Sequence, residues 1–426
     1  MNEETIHHTQ HAIVLSLDYD ISEISELASS LDYSVIHSFI QHRVNPDVNS
    51  YLGSGKVEEV KEYLEQREDP ISIVIVDGEL KPSQWFNLEK TLEITVYDRI
   101  RLILAIFKER ADRKEARLQV RLAELEYEKP YVRELIHRAR SGEHPGLMAG
   151  GEYQVDDYYE MIKKQMKHIK EELSNIRQDR LVQRRHRKIS GYYLVSLVGY
   201  TNAGKSSLLN QLSNEQITVE DRLFSTLSTT TRRIESKLPI LLTDTVGFIQ
   251  RLPSCIIDAF HSTLEEISTS DLILLICDGS DEYELLRKKI ETSFQELADL
   301  EVTANVLIVI NKIDQQSNEL TNEKIQKLQR NQKISKYTMV PISVTKNQNI
   351  DLLLDKIFTS LPDRITMNII LPNHDQVQSF ISWLYEKTYV ISITYESVIS
   401  LSVDCNQKLY PKIREAIQRL NGNVIE

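Results

Sequence analysis

The chain has 426 residues and a mass of 49.4 kDa, which at roughly 100–200 residues per domain predicts two to four domains. Hydrophobic residues make up 41% and charged residues 27%, close to the soluble globular norm, which excludes a disordered chain. With 51 Lys and Arg against 63 Asp and Glu the net charge is −12, so a whole-chain basic footprint for nucleic acid is excluded and only a local one is open. Cys255, Cys277 and Cys405 lie far apart with no CxxC or Cys/His ligand spacing. A disulfide framework and a structural zinc are therefore not expected, and a reducing cytosol fits. The first 18 residues carry no positively charged segment ahead of the apolar run 12–17, which argues against a signal peptide. No stretch reaches the ~18 consecutive apolar residues of a membrane span. A cytoplasmic protein is expected.

The first hundred residues alternate strand-like and helix-like patterns. Residues 12–17 and 71–76 read as buried strands, the second ending in the turn Asp77-Gly78, and 94–97 as a shorter one. Between them, residues 56–68 place Val57, Val60 and Leu64 three and four apart, as on one helix face. Such alternation predicts a small α/β domain with a largely parallel sheet, assigned to residues 1–108. Within it, Gly53-Ser54-Gly55-Lys56 lacks the four-residue spacer of a phosphate loop and follows no apolar strand. It reads as a glycine turn ahead of a helix.

The pattern then changes. Residues 103–139 contain no Gly and only Pro130, and a Gly-rich break at 142–151 separates them from a second helical stretch running to about 187. Ile162, Met166, Ile169, Leu173 and Ile176 are spaced as a heptad seam. Two long helices around a short Gly/Pro loop predict an antiparallel hairpin arm, residues 109–188. Residues 99–190 hold 22 Lys and Arg against 15 Asp and Glu, a surplus of seven, so the rest of the chain carries −19. The basic residues concentrate in 163–188 and include Arg184-Arg185-His186-Arg187-Lys188. The bland reading is a solvated helix face; the sharper one is an electrostatic contact with RNA backbone.

The apolar run 193–198 leads directly into Gly199, Tyr200, Thr201, Asn202, Ala203, Gly204, Lys205 and Ser206, followed by the helix pattern 207–212. This is G-x-x-x-x-G-K-S in strand–loop–helix context. Glycines let the backbone wrap a phosphate chain so that successive N–H groups and a helix N-terminus face the anion. Lys205 can reach the β- and γ-phosphates and Ser206 supplies a hydroxyl to Mg²⁺.

The strand run 238–243 ends in Asp244, Thr245, Val246 and Gly247, a D-x-x-G arrangement. Asp244 suits the magnesium shell and the Gly247 N–H suits sensing of the γ-phosphate, which makes the following segment a switch. A further buried run, 306–310, ends in Asn311-Lys312-Ile313-Asp314. An aspartate here accepts two hydrogen bonds from guanine N1 and N2, a donor pair that adenine lacks. Lys312 is expected along the base plane and Asn311 bracing the loop. The run 337–342 delivers Ser343 and Val344, where a backbone N–H can meet guanine O6. Four elements in this order on successive strand ends predict a GTPase. Between the first two lie Phe224, Ser225, Thr226, Leu227 and Ser228, then Thr229, Thr230 and Thr231; a threonine here completes the Mg²⁺ shell, and spacing alone does not select which. Phe248 stands where many GTPases carry a glutamine that orients the attacking water. Its side chain has no polar atom, so slow intrinsic hydrolysis is expected, with a group supplied from elsewhere. Gln250 is a weak substitute.

These residues resemble the HflX GTPases of the Obg–HflX group. The resemblance covers most of the chain: Tyr51-Leu52-Gly53-Ser54-Gly55-Lys56, Asp77 to Gln84, Asn87-Leu88-Glu89, Asp98-Arg99-Ile100 and Leu122-Ala123-Glu124-Leu125 in the first half, then Gly199 to Ser206, Leu223 to Leu227, Asp244 to Ile249 and Ser262-Thr263-Leu264-Glu265-Glu266. It implies that Thr226 is the magnesium-coordinating switch threonine. Lys205, Thr226 and Gly247 then carry the catalytic roles, and Ser206, Thr226 and Asp244 the metal. It also implies a ribosome-associated GTPase that binds the large subunit and its rRNA through the arm, and splits or rescues stalled ribosomes. A monomer is expected. The chain departs from the family at 142–152, where an Arg-Gly-Pro-Gly-Glu-Thr signature is usual, and at Ser343-Val344-Thr345 in place of Ser-Ala-Lys. A specialised branch that displaces a ribosome-bound antibiotic is one reading of the altered tip. Two others compete with the ribosomal function: a GTP-timed switch with a non-ribosomal partner, and an RNA chaperone or helicase-like protein.

The remaining boundaries place the GTPase domain at 189–361 and a small C-terminal α/β domain at 362–426, with elements near 367–371, 377–385, 398–403 and 410–419. Trp383 reads as core there rather than as a stacking platform. The expected class is α/β: a P-loop GTPase domain with an N-terminal α/β domain, a helical-hairpin arm and a small C-terminal domain.

Overall fold

A computed structural model describes residues 10–67, 69–140, 151–189, 191–213, 230–234, 236–245 and 267–425. The described residues form two compact units, 10–174 and 175–425.

The first unit opens with a four-stranded sheet in the order β2-β1-β3-β4, built from β1 (Gln10–Ser16), β2 (Tyr33–Ile40), β3 (Ile73–Val76) and β4 (Val96–Asp98). All its pairs are parallel, as strand–helix alternation requires. The intervening helices are α1 (Ser22–Ser29), α2 (Ser54–Glu65), α3 (Pro82–Leu92) and α4 (Arg99–Arg110). Every residue of β3 is buried, and Val57 and Val60 of α2 join the core with Leu15, Val74 and Val76. Asp98 caps α4 by accepting from Arg101 N, satisfying an orphan donor of the first turn.

The arm follows as α5 (Lys114–Arg140) and α6 (Gly151–Ile189). Ile162 and Ile169 of α6 pack with Leu122, Leu125 and Val132 of α5, with Met166 and Leu173 against the same cluster. The heptad seam thus packs against the first arm helix from Ile162 to Leu173, while Ile176 lies outside that cluster. Lys114–Glu172 and Lys170–Glu126 ion pairs flank it. The arm-tip departure lies outside the described residues, apart from its last two positions, 151 and 152, which begin α6.

The second unit is built on a six-stranded sheet ordered β10-β9-β8-β5-β7-β6. Its strands are β5 (Tyr193–Val198), β6 (Thr230–Ile234), β7 (Ile240–Asp244), β8 (Leu272–Asp278), β9 (Asn305–Asn311) and β10 (Met339–Pro341). Only the edge strand β6 runs antiparallel, against β7. The helices are α7 (Lys205–Ser213), α8 (Tyr283–Asp299), α9 (Asn318–Arg330) and α10 (Ile350–Ser360). Separate apolar clusters cover the two sheet faces, one around Leu208, Leu242 and Leu353 and the other around Ile290, Ile308 and Leu328. The carboxyl ends of the five parallel strands lie along one edge, where open α/β sheets bind ligands.

The chain ends in a second sheet of four strands, β12-β13-β11-β14, made of β11 (Arg364–Pro372), β12 (Tyr389–Tyr395), β13 (Val398–Asn406) and β14 (Asn423–Ile425), with helices α11 (Asp375–Lys387) and α12 (Tyr410–Arg419). Its pairs are antiparallel. Trp383 is partly buried against this core and stacks on Phe380 at 5.8 Å. Cys277 and Cys405 are buried free thiols. No helix among the described residues is long and apolar enough to cross a membrane.

Candidate nucleotide-binding site

Strand β5 is buried throughout and ends at the loop 199–204. Gly199 has φ +142°, and a Cβ there would lie 2.1 Å from the Ile276 carbonyl oxygen of β8. Gly204 has φ +94°, and a Cβ there would lie 2.2 Å from Asn311 Nδ2. Both positions combine a left-handed backbone with a close approach, so glycine is required. Asn202 between them is also left-handed, at φ +61°, a conformation that asparagine tolerates. The loop therefore doubles back before α7 begins at Lys205.

The Lys205 side chain folds over that loop. Its Nζ donates to the carbonyls of Gly199 at 3.0 Å and Tyr200 at 2.8 Å. Burial brings its pKa down to about 8, while the nearby Asp244 charge pulls it back up. No ion pair to Lys205 occurs among the described residues. A buried ammonium solvated mainly by carbonyl dipoles is a strong anion site.

Ser206 Oγ donates to Asp244 Oδ2 at 2.6 Å. Asp244 arrives there because β7 pairs with β5 in parallel, Leu197 opposite Asp244. A hydroxyl and a carboxylate are hard oxygen donors, and this donor set fits Mg²⁺. Thr245 is buried and donates its hydroxyl to the Leu197 carbonyl at 2.7 Å, pinning the start of the second motif to the phosphate-loop strand. Val246, Gly247, Phe248 and Gln250 lie outside the described residues, as do Phe224, Ser225, Thr226, Leu227 and Ser228.

The loop expected to recognise the base joins the same edge. Asn311 is buried; its Nδ2 donates to the Ala203 carbonyl at 2.9 Å and its Oδ1 accepts from Val344 N at 3.2 Å. A guanine O6 would compete with Asn311 for that Val344 donor. Ser343 is fully buried, and its hydroxyl accepts from Lys346 N at 3.0 Å, so its side chain shapes the turn. Lys312 is left-handed at φ +62° and its Nζ lies 2.7 Å from Asp278 Oδ2. Asp314 lies exposed in the short 3₁₀ turn Ile313–Gln315.

One residue here escapes motif reading: Asp278 belongs to no motif. The available signal for Asp278 was a carboxylate closing the apolar run 272–277 just before a glycine. By contrast Gly53 caps α2 and Lys56 already lies in that helix's first turn, where it pairs with Glu59 at 2.9 Å and lies over the Phe39 ring; its charge is already engaged.

A glycine-bounded loop between a buried parallel strand and a helix, with Lys, Ser and Asp converging on it, defines a P-loop GTPase. Family models for the GTP-binding GTPase N-terminal region, its middle region and a 50S ribosome-binding GTPase match residues 18–108, 110–187 and 194–312. The chain is 41% identical to GTPase HflX of Methanocaldococcus jannaschii over 374 residues, 87% of this chain and 89% of the relative. It is 38% identical to GTPase HflX of Thermococcus kodakarensis over 411 residues, 94% and 92% of the two chains. A crystal structure of a GTP-binding protein from Sulfolobus solfataricus in complex with GDP is 28% identical, covering 82% of this chain and 98% of that one, with a TM-score of 0.46. The chain belongs to the GTPase HflX family.

Proposed function

We propose that this GTPase binds the large ribosomal subunit through its helical arm and couples GTP binding and hydrolysis to the splitting or rescue of stalled ribosomes. The observation that supports this reading is the pairing of a nucleotide site on an acidic body with a basic arm, 19 Lys and Arg against 15 Asp and Glu over residues 109–188. The family model described as a 50S ribosome-binding GTPase supports the same partner.

In this reading residues 199–206 cradle the α- and β-phosphates, and Lys205 neutralises the β- and γ-phosphates. Ser206, Asp244 and Thr226 would hold Mg²⁺, which supplies charge neutralisation on the polyphosphate when bound. Asp314 and Lys312 select guanine, with Asn311 bridging the base loop to the phosphate loop. The Gly247 N–H reports the γ-phosphate to the switch. Phe248 offers no group to orient water, so the ribosome completes the site. The functional division is 1–108 and 109–188 for docking, 189–361 for nucleotide chemistry and 362–426 as a structural module.

GTP turnover by the purified chain, alone and with large subunits, tests this. A slow basal rate raised by orders of magnitude on adding subunits is expected. A fast rate indifferent to subunits overturns it.

A further inference from the structure

We infer that Asp278 is a positioning residue that fixes Lys312 for the guanine base, an inference that rests on the base-loop reading above. Asp278 closes β8 directly opposite Asn311, the end of β9, in the parallel register. Its Oδ2 lies 2.7 Å from Lys312 Nζ, with the two side chains 17% and 20% exposed. Its Oδ1 accepts from Ser280 N at 2.9 Å and from Ser280 Oγ at 2.5 Å. The carboxylate is therefore held on both edges. Burial acts to raise its pKa, but the Lys312 and Ser280 hydrogen bonds outweigh burial and hold it below the usual carboxylate range, so it stays ionised at neutral pH.

The turn that carries Asp278 is itself fixed. Gly279 N donates to the Asn311 carbonyl at 2.7 Å, and a Cβ at Gly279 would lie 2.7 Å from that same oxygen. Lys324 Nζ donates to the carbonyls of Gly279 and Asp281 at 3.0 and 2.7 Å and to Gln316 Oε1 at 2.6 Å. Gln316 Nε2 returns a bond to the Gly279 carbonyl at 2.7 Å. The turn 278–281 and the base loop 311–316 are thus one braced piece.

Lys312 needs such an anchor for two reasons. Its left-handed backbone is one that a residue with a Cβ keeps only when its surroundings hold it. Its four-carbon side chain also has many rotamers to lose when it lies flat on a base. Beside a polyphosphate, an unpaired ammonium would be drawn toward the anion and away from the ring. The Asp278 carboxylate balances that pull, leaving the apolar stem preorganised along the base plane.

The test is a double-mutant cycle on the full chain, with Asp278→Asn, Lys312→Met and the pair, read by GDP affinity, pyrophosphate competition and steady-state GTP hydrolysis. Asp278→Asn is expected to weaken GDP and raise KM by about tenfold. The kcat at saturating GTP and the pyrophosphate affinity should hold. Adding Asp278→Asn to Lys312→Met should cost little more than Lys312→Met alone. Ser280→Ala, which removes one hydrogen bond and no charge, should give a smaller loss in the same direction and serves if Asp278→Asn does not fold. Unchanged GDP affinity in both Asp278→Asn and Ser280→Ala, or a pyrophosphate affinity that falls in step with GDP, overturns the inference. If Lys312→Met itself leaves GDP binding intact, the base-loop reading fails first.

Discussion

The Asn311 side-chain amide donates to the Ala203 carbonyl at 2.9 Å, tying the end of β9 to the phosphate loop 108 positions earlier in the chain. Its carbonyl end holds Val344 N, so one buried side chain spans three loops. Asn311→Ala would leave the buried Ala203 carbonyl and the part-buried Val344 N–H unpaired, at about 1–3 kcal/mol for the carbonyl and less for the amide. A fall in melting temperature of several degrees and a weakening of GDP binding are expected together, measured by thermal unfolding with and without GDP. Loss of neither would mean that water replaces the side chain.

Gly204→Ala introduces a Cβ 2.2 Å from Asn311 Nδ2 at φ +94°. Both the backbone and the Asn311 bond resist it. The variant should bind GDP far more weakly than Gly55→Ala, where a Cβ meets nothing within 4 Å; equal affinities by titration would contradict this account of the loop.

Lys205 supplies a pH prediction. Its pKa is brought to about 8 in the folded chain, against about 10.4 when unfolded. The folded state therefore binds fewer protons between these values, so this group makes stability rise with pH through that window, with its full penalty below it. A bound polyphosphate restores the ammonium, and GDP binding near pH 8.5 should take up a proton. Calorimetry in two buffers of different ionisation enthalpy measures this. Lys205→Ala should abolish the uptake and weaken binding by about 100-fold or more.

Asp314→Asn exchanges an acceptor for a donor at the purine edge. GTP affinity should fall by roughly 100-fold while that for xanthosine triphosphate rises. Full GTP affinity in the variant would place the base elsewhere.

On the arm, Lys164 and Lys167 are exposed on α6. Replacing both by Gln should lower the slope of log affinity for large subunits against log salt by about two. Co-sedimentation across a salt series reads it; an unchanged slope would move the contact off this stretch.

The strands that lack an obvious apolar run share one feature. β2, β6, β12 and β14 are all edge strands of their sheets, half-open to solvent, so their sequences alternate or turn polar. Tyr389–Tyr395 shows this, with no fully buried residue. The central strands 193–198, 272–278 and 305–311 are covered on both faces and read plainly as apolar runs.

The sequence by itself determined the phosphate loop, the N-K-x-D motif that follows it and the basic arm. Each is a local pattern whose spacing follows from backbone geometry or charge. The tertiary structure alone decided that Asp278 meets Lys312 and that Thr245 is pinned to Leu197. Those pairs arise from which strands lie side by side, and strand order is a property of packing that no local spacing encodes.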